Sequence, residues 1–179
     1  MSTLIATQDV NGSDWPVSPA NPIPVSAGGY TAQVQVVPVV QAAAYAAGAT
    51  IGGLLTFASA SRTAAGSGLI QAVTATFISG VVPSLDLVLF NVAPGGGTIT
   101  DKVALAVAAA DLAKVIGVVH LSDAALLGAA TPSIVQGENA ALPFRLASGS
   151  TIYGALVTRS AVTLTSVADV TITLSIMQD

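Results

Sequence analysis

The chain has 179 residues, of which 53% are hydrophobic and only 8% are charged, and its formal net charge is −4. Soluble domains usually carry about 25% charged residues, so most of this surface must be neutral or covered by a partner. Five scattered basic residues exclude a phosphate-binding patch for nucleic acid, and the absence of cysteine excludes disulfides and thiolate chemistry.

The first 29 residues differ in composition from the rest of the chain. Residues 1–9 lack the basic region and apolar run of a signal peptide. Residues 11–24 contain four prolines, which exclude a helix or a central strand. We predict an extended arm over 1–29, with Trp15 either anchored in a partner or folded back onto its own domain. The candidate docking residues of this arm are Trp15, Pro16, Pro19, Pro22, Ile23 and Pro24.

Beyond Gly29 the pattern becomes that of β-strands. Apolar and polar residues alternate, as in Val170–Met177, and Gly, Pro and Ser separate the runs. We predict one domain over 30–179, an all-β, jelly-roll-like antiparallel β-sandwich of about eight strands. The predicted strands span 31–36, 51–57, 69–79, 85–91, 114–121, 142–146, 151–159 and 170–177.

Two stretches depart from this pattern. Residues 101–113 are rich in alanine and predict either a helix with Asp101 as its N-cap, or a strand followed by one turn at 109–113. The most apolar stretches, 41–61 and 103–119, contain glycines, hydroxyls or charges, and no Lys/Arg cluster flanks them. We therefore predict no membrane span.

No constellation of residues indicates catalysis. His120 is the single histidine, and Asp123 is the nearest carboxylate in sequence. The run Gly95–Gly97 lacks the lysine and hydroxyl residue that end a phosphate-binding loop. Scattered carboxylates without cysteine predict no metal site, and the few aromatic residues make a carbohydrate-binding sandwich the weaker alternative. We predict no catalytic residue, no metal, no cofactor and no enzymatic activity.

Several segments resemble structural proteins of tailed bacteriophages. They are residues 44–57, 66–73, 85–90, 114–119, 142–144, 153–157 and 174–179. The family they resemble is that of capsid decoration (cement) proteins and related head-fibre proteins. The resemblance covers roughly residues 30–179.

This resemblance implies a virion structural protein, made in the host bacterial cytoplasm and bound to the outer surface of the phage head. It implies that the chain clamps neighbouring copies of the major capsid protein and associates with itself, with a trimer favoured because capsid lattices offer threefold positions. A head fibre or a receptor-binding tail tip is the alternative. The arm then becomes the segment expected to dock on the capsid, with a partner that is neither nucleic acid nor membrane.

Overall fold

A computed structural model describes residues 6–8, 14–16, 30–137 and 140–179. Nearly all of its regular structure is strand, and the one helical element is a short 3₁₀ turn over Ala109–Lys114. The strands are β1 (Ala6–Gln8), β2 (Asp14–Pro16), β3 (Tyr30–Val36), β4 (Ala44–Tyr45), β5 (Thr50–Phe57), β6 (Ser67–Phe77), β7 (Leu85–Phe90), β8 (Val115–Leu126), β9 (Ser133–Gly137), β10 (Leu142–Arg145), β11 (Ile152–Thr158), β12 (Val162–Thr163) and β13 (Val170–Gln178).

Eight strands pair antiparallel in the order β3-β13-β6-β9-β8-β7-β11-β5, and β10 pairs with the first part of β6. This order divides between β9 and β8 into two four-stranded halves, β3-β13-β6-β9 and β5-β11-β7-β8. That arrangement is the strand order of a jelly roll. Cα atoms of β3 and β5 also come within 8 Å of each other, so the sheet curls back toward itself. The prediction of an all-β, jelly-roll-like fold is confirmed.

Alternation along the strands builds the core between the two halves. In β6, Val73, Ala75 and Phe77 are fully buried, while Thr74 and Thr76 lie on the opposite face. Each fully buried Val, Leu, Ile or Phe side chain contributes roughly 1.5–3 kcal/mol through the hydrophobic effect. The central strands supply most of the remaining core, with Leu85, Leu87, Leu89, Leu121, Ile152, Leu156, Ile172, Leu174 and Ile176.

One predicted strand takes a different place in the sheet. The segment at 142–146 forms β10, which pairs only with β6 and lies off the eight-strand path. The eighth strand of the jelly roll is instead β9, Ser133–Gly137, which pairs with β6 and β8. The sequence did not predict β9, because its five residues, which end in a glycine, alternate too briefly to be distinguished from a loop.

Of the two alternatives for residues 101–113, the helix is wrong. The other was a strand followed by one turn, and of this only the turn forms, as the 3₁₀ element Ala109–Lys114. The carboxylate of Asp101 does not cap a helix but accepts hydrogen bonds from the Tyr45 hydroxyl at 2.9 Å and the Gly52 amide at 2.7 Å. These tertiary contacts override the helix propensity of the alanines. The connection over 91–114 consequently lies across the outer face of β7 and β11, where Val88, Phe90 and Ala155 form a second, smaller core.

Part of the predicted arm is extended chain paired with itself. β1 and β2 form a two-stranded antiparallel ribbon in which Thr7 is opposite Trp15 and Ala6 is opposite Pro16. Both strands of such a ribbon are edges, so a proline is tolerated. Pro19, Pro22, Ile23 and Pro24 lie outside the described residues.

Candidate interaction surface

Four connections meet at one end of the jelly roll, and we call this surface the four-loop end. It comprises residues 37–49, 78–84, 126–132 and 159–169, which join strands at the end where β6 and β8 finish and include the last residue of β8, Leu126. Backbone hydrogen bonds join these connections directly, from Val40 to Val167 at 3.0 Å and from Arg159 to Ser84 at 2.8 Å. The hydroxyl of Ser133 also donates to the carbonyl of Val81.

The four-loop end contains almost no charge. Its four segments contain two charged residues, Arg159 and Asp169. Asp169 is 1% exposed and accepts hydrogen bonds from the amides of Ser79 and Thr165, both at 2.8 Å. Burial disfavours its charged form, but these amides outweigh that effect and lower the pKa of Asp169. Its charge therefore stabilises the loops from inside and is not presented to a partner.

Large apolar side chains are concentrated on this end. Seven of the twelve exposed large hydrophobic residues of the described chain lie here, with exposures from 49% to 80%. Contiguous apolar patches above a few hundred Å² are uncommon on soluble monomers and mark interaction sites. The seven residues are Val37, Val39, Ile78, Val82, Leu126, Leu127 and Val167.

A shallow groove crosses the four-loop end. It has a volume of about 320 Å³ and runs between residues 80–83 and residues 160–163. Its lining contains no charged side chain and consists of three valines, an alanine, a proline, a glycine, a serine and a threonine.

A second neutral surface is the outer face of the β3-β13-β6-β9 half. Thr173 of β13 lies opposite Gln35 of β3 on one side and Thr74 of β6 on the other, and Thr74 is opposite Gln136 of β9. Thr171 and Thr76 form the neighbouring row. None of the four strands contains a charged residue. This face is therefore a ladder of hydroxyl and amide groups.

The β5-β11-β7-β8 half contains a cluster of three ionisable side chains, Asp86, His120 and Arg159. Asp86 of β7 is 3% exposed, and its carboxylate accepts a hydrogen bond of 2.6 Å from His120 Nδ1. Arg159 donates to the second carboxylate oxygen from Nε and Nη2. Burial opposes ionisation of Asp86, but the hydrogen bonds from His120 and Arg159 outweigh it and lower its pKa.

The carboxylate partner of His120 is Asp86, and not Asp123, the carboxylate nearest to it in sequence. The two residues lie directly opposite each other in the β7–β8 pair. Asp86 orients the ring as a triad aspartate orients its histidine, but in the described part of the chain no hydroxyl forms a hydrogen bond with His120. The cluster therefore ties β8 and β7 to the chain that follows β11.

A third buried acid braces the connection over 91–114. Asp111 is 1% exposed and accepts hydrogen bonds from the Gly95 amide at 3.1 Å and the Gly96 amide at 2.8 Å. Lys114 Nζ lies 2.7 Å from the same carboxylate. The lysine and then the two amides lower the pKa of Asp111 to about 2. The Gly95–Gly97 run thus binds a carboxylate of its own chain.

Other kinds of site have little support in the described residues. Within 30–137 and 140–179, no three acidic or histidine side chains are grouped as a metal site would require. No helix among the described elements is long and apolar enough to cross a membrane. No protein-family model matches the chain, and no curated protein is significantly similar to it. The four-loop end was not predicted from the sequence, because its four segments are distant along the chain and only the topology brings them together.

Proposed function

We propose that this chain is a virion structural protein, a capsid decoration protein that binds the outer surface of a phage head as a homo-oligomer and stabilises the shell. The observation that carries the proposal is a jelly roll with two nearly uncharged surfaces, the four-loop end and the outer face of the β3-β13-β6-β9 half. Jelly rolls serve in capsid proteins, lectins and cupins, so the fold alone does not select among them. A neutral surface favours a permanent, symmetric protein partner over a charged or dissolved ligand.

The distribution of polar groups supports a structural role. The three buried acids of the described domain, Asp86, Asp111 and Asp169, each bind donors of their own chain. A protein of this kind needs repeated contact area more than reactive groups. The resemblance of residues 44–57 and 85–90 to decoration and head-fibre proteins points to the same class.

In this proposal the arm over 1–29 docks on the major capsid protein. An arm that lies against a neighbouring subunit extends the contact area beyond that of the β domain. The candidate anchors remain Trp15, Pro16, Pro19, Pro22, Ile23 and Pro24. The β domain begins with β3 at Tyr30, so the arm can be removed without cutting a strand of the jelly roll.

The direct test is to incubate purified heads that lack this protein with the full chain and to image the particles. A decoration protein occupies lattice positions over the whole shell and raises the temperature at which the heads rupture. A head fibre or tail tip occupies a few sites at most and leaves the rupture temperature unchanged. Failure to bind any part of the particle would contradict the proposal.

The role of the arm is tested with two changes in the same assay. Removal of residues 1–29 is expected to abolish binding to heads, and Trp15→Ala in the full chain is expected to weaken it. Ser18→Ala is the matched control within the arm and should bind normally. Far-UV circular dichroism and the melting temperature check that the truncated β domain still folds. Normal binding by the folded truncated chain would exclude the arm as the docking segment.

A further inference from the structure

We propose that the four-loop end is the surface through which copies of this chain contact one another, so that the same end of each copy packs around the symmetry axis of the oligomer. This inference deepens the proposed function and rests on its homo-oligomer, for which it names the contact surface. The predicted partner of this end is thus a second copy of the chain and not the capsid.

The first argument is the chemistry of the surface. Val39 and Leu127 are 80% and 60% exposed, and they belong to two different connections at the same end. Interfaces between identical subunits have an apolar core that excludes charge, with polar groups at the rim. The four-loop end has this composition: seven exposed apolar residues belong to it, one of them, Val82, lines the neutral groove, and its one buried acid, Asp169, is already bound.

The second argument is electrostatic. Two copies with a net charge of −4 repel each other unless their acids are bound within the chain or far from the contact. Asp179 lies at the opposite end of the jelly roll, because its carboxylate accepts a 2.5 Å hydrogen bond from Ser67 at the start of β6. The 11 residues of β6 separate it from the four-loop end by about 30 Å, several times the roughly 8 Å screening length at physiological salt.

The charged groups of the four-loop end are bound within the chain. Arg159 is paired with Asp86, and Asp169 is buried and bound by the amides of Ser79 and Thr165. Neither residue therefore brings an unpaired charge to a contact between identical ends. A strongly charged partner would find no complementary field on this end, whereas a second copy brings an equally neutral surface.

The third argument is rigidity. Hydrogen bonds hold Val40 to Val167 and Ile78 to Asp169, the latter at 2.9 Å between the Ile78 amide and the Asp169 carbonyl. The ribbon of β4 and β12 joins the first connection to the last. Loops that are already fixed lose little conformational entropy on association, so more of the apolar contact energy remains as affinity.

The test is the mass of the isolated full chain in solution, measured by sedimentation equilibrium over a range of concentrations. The wild type is expected to be an oligomer. Leu127→Glu and Val39→Glu, on separate connections, should each weaken self-association at least roughly tenfold, because each places an unpaired charge in an apolar contact. Circular dichroism and melting curves check that both variants fold.

Leu112→Glu is the matched control. Leu112 is 61% exposed against 60% for Leu127, but it lies on the 3₁₀ turn Ala109–Lys114, away from the four-loop end. Its substitution should leave the oligomer intact. A monomeric wild type would overturn the inference, and so would an oligomer that resists both four-loop variants or that Leu112→Glu disrupts equally.

The outcome is separable from that of the proposed function. A chain that is monomeric in solution but covers heads would overturn the inference and keep the proposed function. Hydrogen exchange on such heads, with protection of 126–132 only in the bound state, would assign the four-loop end to the shell. An oligomer broken by the four-loop variants, with no binding to heads, would support the inference and contradict the decoration role.

Discussion

His120 donates a hydrogen bond of 2.6 Å to the buried carboxylate of Asp86, which lies directly opposite it on the adjacent strand and 34 residues earlier in the chain. Arg159 binds the other oxygen of the same carboxylate. A buried charge is stabilised here by two side chains that are themselves largely exposed, His120 at 76% and Arg159 at 55%. The three residues therefore contribute unequally to stability.

Asp86→Ala is expected to lower the free energy of unfolding by about 1.5–3 kcal/mol, the usual contribution of hydrogen bonds to a charged group. His120→Ala should cost less than about 1 kcal/mol, because the exposed imidazole is solvated when its partner is removed. Urea denaturation of the two variants measures both values. A larger loss for His120→Ala than for Asp86→Ala would contradict this account of the cluster.

The pKa values of Asp86, Asp111 and Asp169 are all lowered in the folded protein. A carboxyl with a lowered folded pKa binds fewer protons than in the unfolded chain, where the ordinary value is 3.8. The stability it contributes is fully present well above pH 3.8 and is lost as the pH falls through the folded value. We expect the urea midpoint to be level near neutrality and to fall between about pH 4 and pH 2.

Asp111→Asn provides the comparison for this acid transition. The folded pKa of Asp111 is about 2, so the variant should lose stability near neutrality and show a shallower decline below pH 4. A decline that begins above pH 5 would have to come from groups other than these three acids.

Alanine substitutions at three glycines can distinguish the cost of a left-handed backbone from the cost of a steric clash. A Cβ at Gly52 would lie 2.2 Å from Cβ of Pro38, and its φ is +77°. Gly149 has a φ of +61° but open space around it, and Gly95 has neither constraint. Melting curves should therefore rank the alanine variants in stability as Gly95, then Gly149, then Gly52.

The expected sizes follow from these two constraints. Gly149→Ala should cost about 1–2 kcal/mol for the left-handed backbone, and Gly52→Ala should exceed that because Pro38 must move. Gly95→Ala should be neutral or stabilise slightly, by up to about 1 kcal/mol, through the unfolded chain. Equal losses at Gly52 and Gly149 would show that the contact with Pro38 relaxes freely.

Two neighbouring residues at the end of β6 differ in burial, and their alanine variants show where the hydrophobic core ends. Phe77 is fully buried, whereas Ile78 is 65% exposed at the four-loop end. Phe77→Ala should cost about 3–5 kcal/mol, and Ile78→Ala less than about 0.5 kcal/mol in the monomer. Chemical denaturation at low protein concentration checks both, and a costly Ile78→Ala under those conditions would mean that its side chain is covered within the monomer.

Strand alternation made the central strands predictable from the sequence. In β6 and β13, hydroxyls alternate with Val, Ile, Leu and Phe, and each face follows directly from that period. The brief β9 was missed, and the alanines near Asp101 suggested a helix because the tertiary hydrogen bonds from Tyr45 and Gly52 leave no local signal. The pairing of His120 with Asp86 depends on strand register, which residue spacing alone does not reveal.

The pairing of β3 with β13 has a consequence for how the molecule forms. The first strand of the jelly roll has its hydrogen-bonded partner in the last, because Val36 is opposite Ile172 and Tyr30 is opposite Gln178. During synthesis β3 therefore cannot pair with β13 until about 140 later residues have been made. Assembly of copies through any surface follows the closure of this strand pair, as a later, concentration-dependent step.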